Sequence, residues 1–107
     1  MAKEIVWTQR AYSKFNKIID YLESEWGVAV TTSFVNKSFD IIKLLSERPF
    51  LGTLENSEKG IRGFLITKHN RLFYRVTEKE LIILNFFDNR SNPKKIWITE
   101  AFINKDS

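Results

Sequence analysis

A chain of 107 residues with 43% hydrophobic and 14% aromatic side chains is long enough for one core and too apolar to stay disordered, so a single domain spanning 1–107 is expected. It has no cysteine and one histidine, which excludes a disulfide framework and a thiolate metal site, leaves no metal or cofactor to expect, and suits a reducing cytoplasm. No run approaches the roughly 20 apolar residues of a membrane span, and Met1 to Trp7 lacks the apolar stretch of a signal peptide, so neither membrane insertion nor secretion is expected. The net charge of +4 is unevenly placed: residues 1–60 carry eight bases and eight acids, whereas residues 61–107 carry nine bases and five acids and so hold all of the excess. A one-sided field of this kind attracts polyanions or an acidic protein; the alternative is an ordinary solubilising surface.

Taken in chain order, Ile5, Val6 and Trp7 form a β-rich run that predicts a first strand, and Thr8 is placed to cap the helix that follows. Ala11, Phe15, Ile18, Ile19, Leu22 and Trp26 fall on one helical face, with Gly27 as the residue just past its end. A second helix carries Val30, Phe34, Ile41, Ile42 and Leu45 on one face and stops at Pro49. The two helices are expected to form an antiparallel hairpin, and Phe50 to Gly60 reads as a loop. The period then changes to two: Ile61–Lys68, Arg71–Thr77 and Glu80–Asp88 predict a three-stranded meander joined at His69-Asn70 and Glu78-Lys79. Leu81 to Phe87 is almost continuously apolar, which predicts cover on both faces. The chain leaves the sheet over Asp88 to Pro93 and ends in Lys94–Ile103, a short helix or an edge strand.

With His69-Asn70 as a two-residue turn, Lys68 lies opposite Arg71, Ile66 opposite Phe73 and Phe64 opposite Arg75. One face then shows Arg62, Phe64, Ile66, Lys68, Arg71, Phe73 and Arg75, and the other shows Ile61, Leu65, Leu72, Tyr74 and Val76 for packing on the helices. Cations interleaved with aromatics suit RNA, since phosphates favour Arg and Lys while unstacked bases favour π-faces. Arginines on a sheet face also serve as edge protection and solvation. A change of one residue in the loop would move Arg62 to the face opposite Arg71.

Several segments together carry a family resemblance: IVWTQRA at 5–11, IIDYLESEWG at 18–27, LLSERPFLG at 44–52, GIRG at 60–63, RLFYRV at 71–76 and LIILNFFDNRSNP at 81–93. In order and spacing they resemble the RelE/ParE superfamily of toxins from type II toxin–antitoxin systems, including those of the plasmid-stabilisation type. The resemblance implies an α+β fold in which a two-helix hairpin packs on a small, mainly antiparallel sheet, with Ile5 to Thr8 joining as an additional strand. It also implies a growth inhibitor held silent by a cognate antitoxin, with no cofactor.

Two kinds of action occur in that superfamily. RelE-like members cut messenger RNA on the ribosome, and the resemblance then makes Arg62, Arg71 and Arg90 the catalytic candidates, with Arg62, Lys68, Arg71, Arg75, Arg90 and Trp97 binding nucleic acid or the target. Phe64 stands where a second lysine is common, and the aromatic near the end is Trp97, whose indole cannot transfer a proton at neutral pH. His69 is the one histidine but sits in a predicted turn, where a lone histidine is more often a solvent-exposed loop residue. ParE-like members bind DNA gyrase and need no acid or base. The Tyr21 to Trp26-Gly27 spacing and the exit Asp88-x-Arg90-x-x-Pro93 look more like that branch. The absent proton-transfer group favours gyrase inhibition, with the ribosome-dependent messenger RNA endonuclease as the alternative and a non-toxic basic RNA- or protein-binding module as a third reading.

Overall fold

The computed structural model describes residues 2–90; the expected terminal element Lys94–Ile103, with Trp97 and Pro93, lies outside them. The elements are β1 (Glu4–Trp7), α1 (Gln9–Trp26), α2 (Val28–Glu47), a 3₁₀ turn (Pro49–Leu51), β2 (Thr53–Asn56), β3 (Ile61–Thr67), β4 (Asn70–Val76) and β5 (Glu80–Asp88). The five strands form one sheet in the order β1-β5-β4-β3-β2. β1 runs parallel to β5, and every other pairing is antiparallel.

Thr8 performs the capping role expected of it. Its Oγ1 accepts from the Ala11 N–H at 3.1 Å and lies 3.0 Å from the Ile83 carbonyl, so the start of α1 is also fastened to β5. Gly27, at φ +90°, ends α1 and begins α2 in a single residue. The helical hairpin buries Ala11, Phe15, Ile18, Leu22, Phe34, Ile42 and Leu45 against Ile66, Leu72, Tyr74, Leu81, Ile83 and Phe86 of the sheet. Trp7 joins this core with its ring centroid 5.3 Å from those of both Phe15 and Phe86. Two residues of the expected helix faces fall outside it: Trp26 is 53% and Val30 38% exposed. Both flank the Gly27 corner, where the hairpin turns.

β5 lies between β1 and β4, and its nearly continuous apolar run is buried on both faces, in the core under the helices and in a second cluster on the other side. A bulge between its pairings with Phe73 and Tyr74 leaves Leu84 without a partner residue. That extra residue resets the alternation, so Ile83 and Phe86 face the helices while Leu84 and Phe87 join Ile61 and Phe73 in a second apolar cluster. Among the described residues no helix is long and apolar enough to cross a membrane.

Two expectations are corrected here. The segment read as a loop, Phe50 to Gly60, contains the edge strand β2, whose Thr-Leu-Glu-Asn sequence has no β-rich signature and which is held by backbone pairing with β3. The β3–β4 register also differs, with Phe64 opposite Leu72 rather than Arg75. The turn residues are Lys68-His69, not His69-Asn70, and Ile66 is bulged between the pairs Leu65–Arg71 and Thr67–Asn70. Moving the turn by one residue keeps the parity of facing residues, but the bulge reverses it. Among the described residues no non-glycine residue has positive φ, so Lys68-His69 does not form the mirror-image turn that suits a two-residue hairpin loop. Side chains close the loop instead: Thr67 Oγ1 donates to Asn70 Oδ1 at 2.6 Å and accepts from the His69 N–H at 3.0 Å.

Candidate functional site

The bulge at Ile66 decides where the predicted cations go. Arg62 pairs across with Tyr74 on the helix side of the sheet, whereas Arg71 and Arg75 occupy the opposite side with Phe73. The continuous face expected from Arg62 to Arg75 therefore does not assemble. Ile66 and Phe64, placed on the basic face by the expected register, pack in or against the main core; Ile61 belongs to the second cluster, and Leu65 is 54% exposed.

The described candidates form three groups. On the helix side, the Arg62 guanidinium donates to the Gly52 carbonyl at 2.9 Å and sits 4.9 Å from the Phe50 ring centre. Beside it the Tyr74 hydroxyl donates to the Pro49 carbonyl at 2.6 Å and accepts from the Gly52 N–H at 2.9 Å. Desolvation by burial raises the Tyr74 phenol above its ordinary value of 10.0, against smaller opposing effects of the Gly52 N–H and the Arg62 charge. The unfolded chain therefore loses this proton first as pH rises, so the group's stabilisation is complete below pH 10 and declines above it. Urea midpoints measured from pH 9 upward are expected to fall more steeply for the native chain than for Tyr74→Phe; equal slopes would remove Tyr74 from the account.

On the opposite side, Arg71 pairs with Glu55 of β2, both side chains being about four-fifths buried. The pair lies over Gly63, where an added Cβ would come within 2.7 Å of Glu55 Oε2 and 2.9 Å of Arg71 Nε, so glycine keeps the space that it occupies. The Nε groups of Arg71 and Arg75 have no hydrogen-bond acceptor among the described residues.

The third group lies where the β3–β4 turn meets the end of β5. Asp88, fully buried, accepts from Asn70 Nδ2 at 2.6 Å, from the Arg90 N–H at 2.8 Å, and from Arg90 Nε and Nη2 at 3.2 and 2.9 Å. The Arg90 guanidinium stacks over Trp26 at 5.4 Å, and its carbonyl accepts from the Tyr21 hydroxyl at 3.4 Å. Lys68 and His69 form the neighbouring turn, with His69 Nδ1 3.1 Å from Asn89 Oδ1. Trp97 lies outside the described residues. Sequence reasoning missed Glu55 and Asn70 as partners, since Glu55 lay in a supposed loop and Asn70 in a supposed turn. It did single out Tyr21, Trp26, Asp88 and Arg90, which come together here.

A two-helix hairpin on one face of a five-stranded, mainly antiparallel sheet is the RelE/ParE-like α+β fold. Within that class the chain belongs to the ParE toxin family of type II toxin–antitoxin systems (parDE), whose profile matches residues 5–93. Solved structures share the fold. A chain of the chromosomal ParDE toxin–antitoxin system from Pseudomonas aeruginosa superposes with a TM-score of 0.68 at 19% identity, over 81% of this chain and 96% of that one. The YoeB/ParE toxin from Agrobacterium tumefaciens gives 0.56 at 18%, over 79% and 96%. A chain of the RelBE2 toxin–antitoxin complex from Mycobacterium tuberculosis gives 0.58 at 18%, over 82% and 99%. No curated protein matches in sequence.

Proposed function

We propose that this toxin arrests growth by inhibiting DNA gyrase in the cytoplasm, in the manner its ParE family membership suggests, and that a cognate antitoxin silences it. The supporting observation is the dispersal and pairing of the three arginines a nuclease would need. Arg62 lies across the sheet from Arg71 and is bound to Gly52, Arg71 is closed by Glu55, and Arg90 is closed by Asp88. Cleavage by 2′-hydroxyl attack requires a proton acceptor beside the cation that neutralises the oxyanion. The phenol near Arg62, Tyr74, is buried and holds two backbone groups, while His69 stands at the hairpin tip. Gyrase inhibition asks only for a binding surface.

The test is induced expression in a host related to the source. Growth is expected to stop, gyrase cleavage complexes to accumulate on supercoiled plasmid, and translated messages to remain intact. Unimpaired growth would leave a basic binding module with no toxic activity. The endonuclease reading keeps one observation in its favour: Arg71 and Arg75 share one face of the sheet, and neighbouring guanidinium groups suit a phosphate. Ribosome-dependent cuts by primer extension, abolished by Arg71→Ala, would establish that reading and overturn the one proposed.

A further inference from the structure

The two helices pack on one face of the sheet. The other face is nevertheless sealed at its centre: Ile61, Phe73, Leu84 and Phe87 are 3, 0, 2 and 1% exposed, and Asn85, which pairs with Phe73, is 2% exposed. No helical residue belongs to this second cluster. The Arg71 guanidinium lies 5.9 Å from the Phe73 ring centre, and the Lys14 ammonium lies 4.9 Å from that of Phe87. Two cations cannot shut water from a sheet face, and the Arg71 side chain is itself only 20% exposed, so it too is covered. These exposures belong to one chain by itself. The cover is therefore part of this chain, and no element among the described residues supplies it.

We propose that Lys94–Ile103 docks across the sheet face away from the helices and closes Ile61, Phe73, Leu84 and Phe87 into a second core. The chain continues from the right place. Arg90 lies three residues past Phe87, and residues 91–93 can span about 10 Å, enough to turn back over the strand that precedes them. The next ten residues hold Ile96, Trp97, Ile98, Ala101, Phe102 and Ile103, whereas residues 104–107 are polar. Ten residues reach about 33 Å extended or about 15 Å as a helix, against roughly 23 Å for the seven residues of β4, so either form spans most of the cluster. Neither a second copy nor a partner protein is needed, since the burial is complete in the single chain. Trp97 then serves this chain's own packing, and Arg71 and Arg75 lie beneath a segment that a phosphate chain would first have to displace. The inference does not rest on the gyrase reading.

The chain has no cysteine, so one introduced cysteine carries a nitroxide at a single site of the full-length, ¹⁵N-labelled protein. Leu65→Cys places the label on the far face, since Leu65 pairs with Arg71 and is 54% exposed; Tyr12→Cys places it on α1, at a side chain 59% exposed. The amides of residues 94–103 are expected to lose their signals with the label at 65 and to keep them with the label at 12. Signals retained with the label at 65, or equal losses from the two labels, would overturn the proposal. In the unlabelled full chain, Ile98→Asp/Phe102→Asp puts two charges into the cover. The amides of Phe73, Leu84 and Phe87 are expected to shift while those of Leu22 and Ile42, in the main core, stay in place. Unmoved amides at all three far-face positions would equally refute the docking. Neither readout involves gyrase, messenger RNA or growth, so the outcome is independent of the gyrase test.

Discussion

Gly52→Ala is expected to destabilise this protein by about 3 kcal/mol or more, combining the typical cost of overpacking with that of a lost buried hydrogen bond. A Cβ at residue 52 would overlap the Tyr74 hydroxyl, and it would lie 2.8 Å from the Gly63 carbonyl oxygen and 2.9 Å from Tyr74 Cε1. The first neighbour is the tip of a fully buried side chain and the second is backbone, so neither yields without moving a strand. Residue 52 is also bonded from both ends, its N–H to Tyr74 Oη and its carbonyl to the Arg62 guanidinium. Displacing it therefore loosens the 3₁₀ turn, the start of β2 and the Arg62 side chain together. Tyr74→Phe should cost less, about 1–3 kcal/mol, because it removes the hydroxyl while leaving the ring in the core. The double variant relieves part of the overlap, so its loss should fall short of the two single losses added together. Urea unfolding of the three variants measures this directly. A midpoint for Gly52→Ala within error of the native chain would refute the packing argument.

Asp88→Ala is expected to cost a similar amount, about 3–5 kcal/mol, the range for breaking a buried ion pair by removing one partner. The carboxylate is fully buried, and four hydrogen bonds reach it from Asn70 and Arg90. Its loss removes the acceptor of a guanidinium that is only 20% exposed and of a buried amide. Asp88→Asn is expected to remain destabilising despite its similar size, because it removes the charge and turns a donor toward other donors. Arg90→Ala should cost less, because Asp88 keeps the bonds from Asn70 Nδ2 and the residue-90 N–H while losing its cation, and the change also removes the cation stacked on Trp26. Since each single change penalises the survivor, the Asp88→Ala/Arg90→Ala double variant should be much less destabilised than the two losses combined. A double-mutant cycle by chemical denaturation gives the coupling; an energy indistinguishable from zero would show that the pair does not act as a unit.

Much of the fold was legible because its signals are local. The 3.6-residue period of α1 and α2, the Thr8 cap and the stop at Pro49 depend on residues within a few positions of one another. β5 announced its cover on both faces through the nearly continuous apolar run from Leu81 to Phe87, since such a strand has no polar side to display. β2 was not legible, because an edge strand is held by backbone pairing with β3, and its sequence carries little of that bond. Trp26 kept the helical period but lost the core, as α1 outruns the sheet there and Arg90 takes up the indole face.

The candidate site divides along the same line. By itself the sequence determined that positive charge lies in the second half, that arginines alternate with apolar residues along two neighbouring strands, and that Asp88 and Arg90 follow the last one. These are properties of composition and short spacing. The tertiary structure alone decided which arginines share a face and which carboxylates they meet. Facing between two strands depends on the parity of residues around their turn, and the single bulge at Ile66 reversed it through Thr67–Asn70 hydrogen bonds that no periodicity encodes. Glu55 reaches Arg71 from a segment sixteen residues earlier, and Trp26 reaches Arg90 from the end of α1. Such partners are set by the packing of distant elements, so the charge distribution was readable from the chain while the pairing that governs its use was not.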